Sequence, residues 1–356
     1  MVLSALPGKR STHRFLPSLS RVHGKGAGLS YGRAQSGLCR WGLLQMHRLS
    51  VSGTLEQLSV RNVAPQIKKI FIFLLWRYNF CMKHERFELK VRYGLENGGF
   101  IPSVTTYIIE NSCAIDEKRR RPLILICPGG GYAYKSPREA ESVAIKMNAL
   151  GFHAVVLDYS VAPMEFPAAF LDLCEAMNFV RCHADEWNVD SDRIIVLGFS
   201  AGGHLAASLG VFWKSSLCRK YLPLESSQIR PDGLCLCYPV ITAGKNCHAG
   251  SIENVLGGQA LDREMRDFVS LEKHVSSEVP PVFMWHTDED QSVPLENSLE
   301  FALALRKNAV PLEYHVFRQG RHGLSLATEE TASCPEQVSR ECSVWPELFA
   351  EWVKLL

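Results

Sequence analysis

The stretch Ile194-Ile-Val-Leu-Gly198-Phe199-Ser200-Ala201-Gly202-Gly-His204-Leu-Ala-Ala-Ser-Leu-Gly-Val-Phe-Trp213 passes from a block of aliphatic residues into an alanine-rich run. Residues 194–197 read as a strand buried on both faces, and 201–213 read as a helix. Between them lies Gly-x-Ser-x-Gly. A strand that turns directly into a helix forces strained backbone angles on the residue at the corner. Gly198 and Gly202 relieve the crowding where the two elements cross. The turn lifts the Ser200 hydroxyl above the C-terminal edge of a sheet. There the first turn of the helix offers a positive dipole end and a free amide at Ala201. A serine that merely caps a helix is the plain alternative, and the surrounding motifs argue against it.

Working towards the N-terminus, 122–127 is another continuous apolar run and ends in Pro128-Gly129-Gly130-Gly131-Tyr132. Consecutive glycines let backbone amides approach a ligand closely. Acyl transfer builds negative charge on a carbonyl oxygen, and each amide aimed at that oxygen contributes about 3 kcal/mol. Gly130 and Gly131 are therefore candidate oxyanion donors, with Ala201 as the third. A plain turn or a phosphate cradle are the alternatives, but GxxxxGK[ST] is absent. Strands are also expected at 87–93 and 105–109, with Asn97-Gly98-Gly99 as a turn, and then at 153–157, 234–238, 282–286 and 312–317. Helices are expected at 137–150, 168–187, 294–307 and 343–355. Strands separated by helices imply βαβ crossovers and a mostly parallel sheet with helices on both faces.

Loops that follow parallel strands gather at one edge of the sheet. Asp290 follows the strand at 282–286, and His322 follows the strand at 312–317 within Gly320-Arg-His-Gly323. The chain order Ser200, Asp290, His322 is the nucleophile, acid and base order of α/β-hydrolases. Asp288 and Glu289 compete with Asp290 for the acid role, and Asp290 stands at the loop position just ahead of Pro294. His183 reads as a surface residue. His204, one turn into the elbow helix, reads as packing beneath the serine.

Between about 122 and 352 the chain resembles α/β-hydrolase serine esterases, in particular the acetyl-xylan and feruloyl esterase-like group related to the hormone-sensitive-lipase branch. The matching stretches are ICPGGGY at 126–132, LDYSVAP at 157–163, GFSAGGHLAASLG at 198–210, YPVI at 238–241, WHTDEDQSVP at 285–294 and GRHG at 320–323. The lipase branch usually places His before its three glycines, whereas this chain has Pro128. The resemblance implies the α/β-hydrolase fold and a serine carboxylesterase of short acyl groups, chiefly acetyl, on plant-polysaccharide fragments. Such chemistry uses no metal and no organic cofactor. An amidase, formamidase or acyl-peptide hydrolase on the same fold is the alternative. A non-catalytic binding protein is the third reading, although such proteins commonly lose a triad member. Tyr132, Phe199 and Trp285 read either as neighbours of the pocket or as core.

The 356 residues hold 39 Lys and Arg against 37 Asp and Glu, with 46% apolar and 21% charged residues, which excludes a mainly disordered chain. No apolar run approaches the roughly 18 residues of a membrane span. The charge is split: residues 1–81 carry a net +11 with Glu56 as their one acid, and the remainder carries −9. Within 1–81 only 70–76 forms an apolar run, behind Lys68-Lys69, and no nucleic-acid-binding module is recognisable. Met82 opens a strand-like pattern. Residues 1–81 therefore read as an extension upstream of an 82–356 catalytic domain, with a targeting tail or a functional arm as the alternatives. Cys127, Cys235, Cys237, Cys174 and Cys182 read as small core hydrophobes, and no four-ligand zinc pattern occurs. Reduced thiols, and a start at Met82 without a signal peptide, point to the cytoplasm.

Overall fold

The computed structural model describes residues 82–90 and 99–356. The expectations for residues 1–81, for the end of the first strand and for Asn97 and Gly98 lie outside the described residues. Eight strands form one sheet: β1 Arg86–Glu88, β2 Ser103–Tyr107, β3 Arg121–Cys127, β4 His153–Asp158, β5 Val189–Phe199, β6 Gly233–Cys237, β7 Val282–Thr287 and β8 Leu312–Phe317. Their spatial order is β1-β2-β4-β3-β5-β6-β7-β8. The β1–β2 and β2–β4 pairs are antiparallel, and every later pair is parallel. This is the α/β-hydrolase fold.

The strand runs are apolar at nearly every position because both faces are covered. On β3, Leu123, Leu125 and Cys127 join one core layer, and Ile124 and Ile126 join the other. The first layer packs against helices α2 (Ala168–Cys182), α3 (Ala201–Phe212) and α5 (Glu296–Lys307), through side chains such as Leu171, Leu205 and Phe301. The second packs against α1 (Glu141–Ala149) and α6 (Trp345–Val353), through Met147 and Phe349. The chain leaves β3 towards β4 on one side, and the next strand, β5, is laid down on the other. The ends of β3 and β5 thus flank the crevice where open parallel sheets place their sites.

Several expectations need correction. The helix expected at 137–150 is broken: Pro137–Glu139 is a 3-10 turn, and α1 begins only after Ala140, at φ −114° and ψ −101°. At this break Glu139 is buried. The helix expected at 168–187 ends at Cys182, because His183 to Asn188 fold into turns that close with Asn188 in the left-handed region. Strand β5 starts at Val189, five residues earlier than expected, where Val189 pairs with Arg121. Cys182 is exposed rather than core, while Cys127, Cys174, Cys235 and Cys237 are buried. The stretch 239–281, which carried no expected element, holds α4 (Ala249–Leu256) and a helix at Arg263–Phe268. Among the described residues no helix is long and apolar enough to cross a membrane.

Candidate active site

Strand β5 turns into α3 at Ser200, whose backbone sits at φ 53° and ψ −120°. Such a conformation costs about 1–3 kcal/mol and persists only where its surroundings impose it. Here the imposition is steric. A Cβ on Gly198 would collide with the Gly202 carbonyl, and a Cβ on Gly202 would collide with the Cys127 carbonyl at the end of β3. The Ser200 amide donates to the Cys237 carbonyl at 3.0 Å, and its carbonyl accepts from Val240 at 3.0 Å. The serine is therefore tied to the end of β6 on one side and to the loop that follows it on the other.

Ser200 Oγ lies 2.8 Å from His322 Nε2, and His322 Nδ1 lies 2.6 Å from Asp290 Oδ2. A carboxylate oxygen only accepts, so the proton rides on Nδ1 and Nε2 is left to accept from the serine. Asp290 also accepts the Ser292 and Val293 amides on Oδ1, at 2.9 and 3.0 Å. His286 Nε2 reaches Oδ2 at 3.2 Å. The other ring nitrogen of His286 accepts from the Ser298 hydroxyl at 2.7 Å. Burial works to raise the Asp290 pKa, but the hydrogen bonds from His286 and His322, the His322 charge and the Val293 amide outweigh it. The carboxyl is held well below the usual range. Asp288 and Glu289 are exposed, whereas Asp290 is buried.

The glycine loop after β3 is pinned along its length. Tyr159 donates to the Pro128 carbonyl, the Gly129 amide donates to Glu139 at 2.9 Å, and Asn254 donates to the Gly131 carbonyl at 2.8 Å. Tyr132 is held by its carbonyl to the Ala162 amide and by its hydroxyl to His204 Nδ1, at 2.7 and 2.9 Å. His204 Nε2 donates to the Val269 carbonyl at 2.8 Å, and burial pushes its pKa down to about 4. His204 is thus a neutral strut between loop and helix. Gly130 and Gly131 both take positive φ, 123° and 64°. The amides of Gly130, Gly131 and Ala201 have no protein acceptor among the described residues.

Ser200, His322, Gly130 and Gly131 line one open cleft of about 440 Å³, together with polar side chains that include His248, Asn254, Arg138 and Arg321. Tyr132, Phe199 and Trp285 are buried, and none of them lines this cleft, so the core reading holds for all three. Among the described residues no group of three His, Cys, Asp or Glu side chains converges as a metal site.

Sequence reasoning missed several residues around the site. Glu139 bridges the Gly129 amide and the Tyr238 hydroxyl, the latter at 2.7 Å. Tyr238 in turn accepts the Ser325 amide at 2.8 Å, and its ring meets the His322 ring edge-on at 5.1 Å. His286, four residues before Asp290, had a usable local signal in its spacing. His248 and Asn254 had none, because the helix that carries them was not legible.

Fold and site geometry together define an α/β-hydrolase with a serine poised on its elbow. The BD-FAE family model matches residues 113–305, more than half of the chain, and the chain belongs to that family. It is 37% identical over 238 residues to endo-1,4-beta-xylanase B of Butyrivibrio fibrisolvens, covering 65% of this chain and 36% of that protein. It is 27% identical over 221 residues to an acetylxylan esterase of Xylanibacter ruminicola, covering 61% and 44%. The chain thus spans less than half the length of these curated relatives. Among solved structures, an acetyl ester-xyloside bifunctional hydrolase from Caldicellulosiruptor lactoaceticus superposes with a TM-score of 0.68 at 35% identity, over 78% of this chain and 98% of that one.

Proposed function

We propose that this chain is a serine carboxylesterase that removes short acyl groups, chiefly acetyl, from oligosaccharides derived from plant polysaccharide. The carrying observation is the hydrogen-bonded line from Ser200 through His322 to Asp290, beside three backbone amides without protein acceptors among the described residues. His322 Nε2 takes the Ser200 proton as the hydroxyl oxygen attacks the ester carbonyl. Asp290 holds the tautomer and stabilises the imidazolium. The carbonyl oxygen, now negative, meets the amides of Gly130, Gly131 and Ala201, which the pinned loop presents without reorganisation. The alcohol leaves with the proton from His322. Water, activated by the same nitrogen, then releases the acid.

The substrate class rests on the polar lining of the cleft and on the acetylxylan esterase and acetyl ester-xyloside hydrolase among the relatives. The ten cysteines of the described residues are all free thiols, which supports a reducing, cytoplasmic setting. The test is a panel run on the full chain: acetylated xylo-oligosaccharides, feruloyl esters, p-nitrophenyl esters of rising acyl length and matched anilides. Acetyl esters are expected to turn over fastest, with Ser200→Ala reducing the rate by at least about 10⁴-fold. Faster cleavage of anilides would move the protein to the amidases. Near-full activity in Ser200→Ala would remove the nucleophile.

A further inference from the structure

Helix α4 presents two side chains to the cleft whose hydrogen-bonding roles are fixed. His248 caps this helix: the Ser251 amide lies 3.2 Å from His248 Nδ1, and Ser251 Oγ lies 2.8 Å from the same nitrogen. A backbone amide only donates, so Nδ1 is an acceptor and the neutral ring carries its proton on Nε2. Burial, and then the charge of His322, push the His248 pKa down, which keeps the ring neutral. Asn254 donates its Nδ2 to the Gly131 carbonyl, and a carbonyl only accepts, so its Oδ1 is committed to the role of acceptor. Neither His248 Nε2 nor Asn254 Oδ1 has a protein partner among the described residues. Both residues line the cleft that holds Ser200 and His322.

We propose that His248 and Asn254 form the subsite for the alcohol part of the ester, built to hold two hydroxyl groups of a sugar ring. His248 Nε2–H donates to one hydroxyl oxygen, and Asn254 Oδ1 accepts from another hydroxyl. One neutral donor and one neutral acceptor in the same cleft match an uncharged polyol rather than a plain alkyl chain. A simple alkyl alcohol leaves both groups desolvated and unpaired, which sites of this kind discriminate against. Because Asn254 also grips Gly131, a sugar seated there is registered against the glycine loop. This inference rests on the esterase reading for its direction of use, but the binding site can be tested apart from it.

His248→Asn keeps an N-cap acceptor for the Ser251 amide and deletes the Nε2 donor. Two readouts on the full chain separate the questions. The first is binding of methyl β-xyloside, which carries no ester, followed by NMR titration. The second is the ratio of kcat/KM on an acetylated xylo-oligosaccharide to kcat/KM on p-nitrophenyl acetate. Loss of one hydrogen bond should weaken xyloside binding and lower the ratio, each roughly fivefold to tenfold. Asn254→Ala should lower the ratio in the same direction, whatever it does to the shared rate through Gly131. A change under twofold in both binding and ratio overturns the proposal, as does wild-type protein that fails to bind the xyloside. Normal, His248-dependent xyloside binding with no turnover of any ester would instead sink the esterase reading and leave the sugar site standing.

Discussion

Asp290 spends both of its oxygens on four donors, two amides and two imidazoles. Asp290→Asn is expected to lower kcat on p-nitrophenyl acetate by about 10³–10⁴-fold, since an amide nitrogen facing His322 favours the wrong tautomer. Asp288→Asn, at an exposed position, should change it less than about threefold; the reverse ranking would move the acid role to Asp288. Asp290 also carries a pH signature. Its folded pKa lies below the unfolded value of about 3.9, so it stabilises the fold at pH values above that figure. That contribution drains away as pH falls through the folded value. In urea titrations, the stability deficit of Asp290→Asn should therefore be full at pH 7 and shrink steadily below about pH 4. A deficit that grew on acidification would contradict the assignment of a depressed carboxyl.

The elbow is the element at which backbone geometry decides most. A methyl group at Gly202 has nowhere to go, because the Cys127 and Pro128 carbonyls at the end of β3 occupy its place. Gly202→Ala should cost about 3 kcal/mol, read as a fall in the calorimetric midpoint, and should depress kcat by displacing the glycine loop. Gly131→Ala offers the contrast. Its Cβ would meet only Ser251 Oγ at 3.7 Å, so its penalty is the left-handed φ of 64°, about 1–2 kcal/mol. Equal destabilisation by the two changes would mean that conformational strain, not the strand–helix crossing, sets the requirement. Elements written by long periodic runs were readable from sequence: β3, β4, β7, β8 and α3 sit within a residue or so of their expected bounds. Helix α4 was not, because it is only about two turns long and opens on Ala249-Gly250, too short a run to separate from loop.

At the scale of the whole molecule, we propose residues 82–356 as the catalytic unit, on the charge split and on a family match that begins at residue 113. A chain beginning at Met82 should keep kcat/KM within twofold and the same thermal midpoint. A tenfold loss, or a midpoint lower by several degrees, would assign part of 1–81 to the enzyme. The sequence by itself determined the alternation of buried strands and helices, the tight glycine spacing of the elbow and the chain order of the candidate nucleophile, acid and base. Each of these is a local or ordinal property, set by side-chain period and by steric demands within a few residues. Only the tertiary structure decided what surrounds Ser200. Asn254 reaches Gly131 across 123 residues, and Glu139 reaches Tyr238 across 99. Contacts of that span arise from how loops meet above a sheet edge, and no local pattern encodes which polar side chain a distant loop will face.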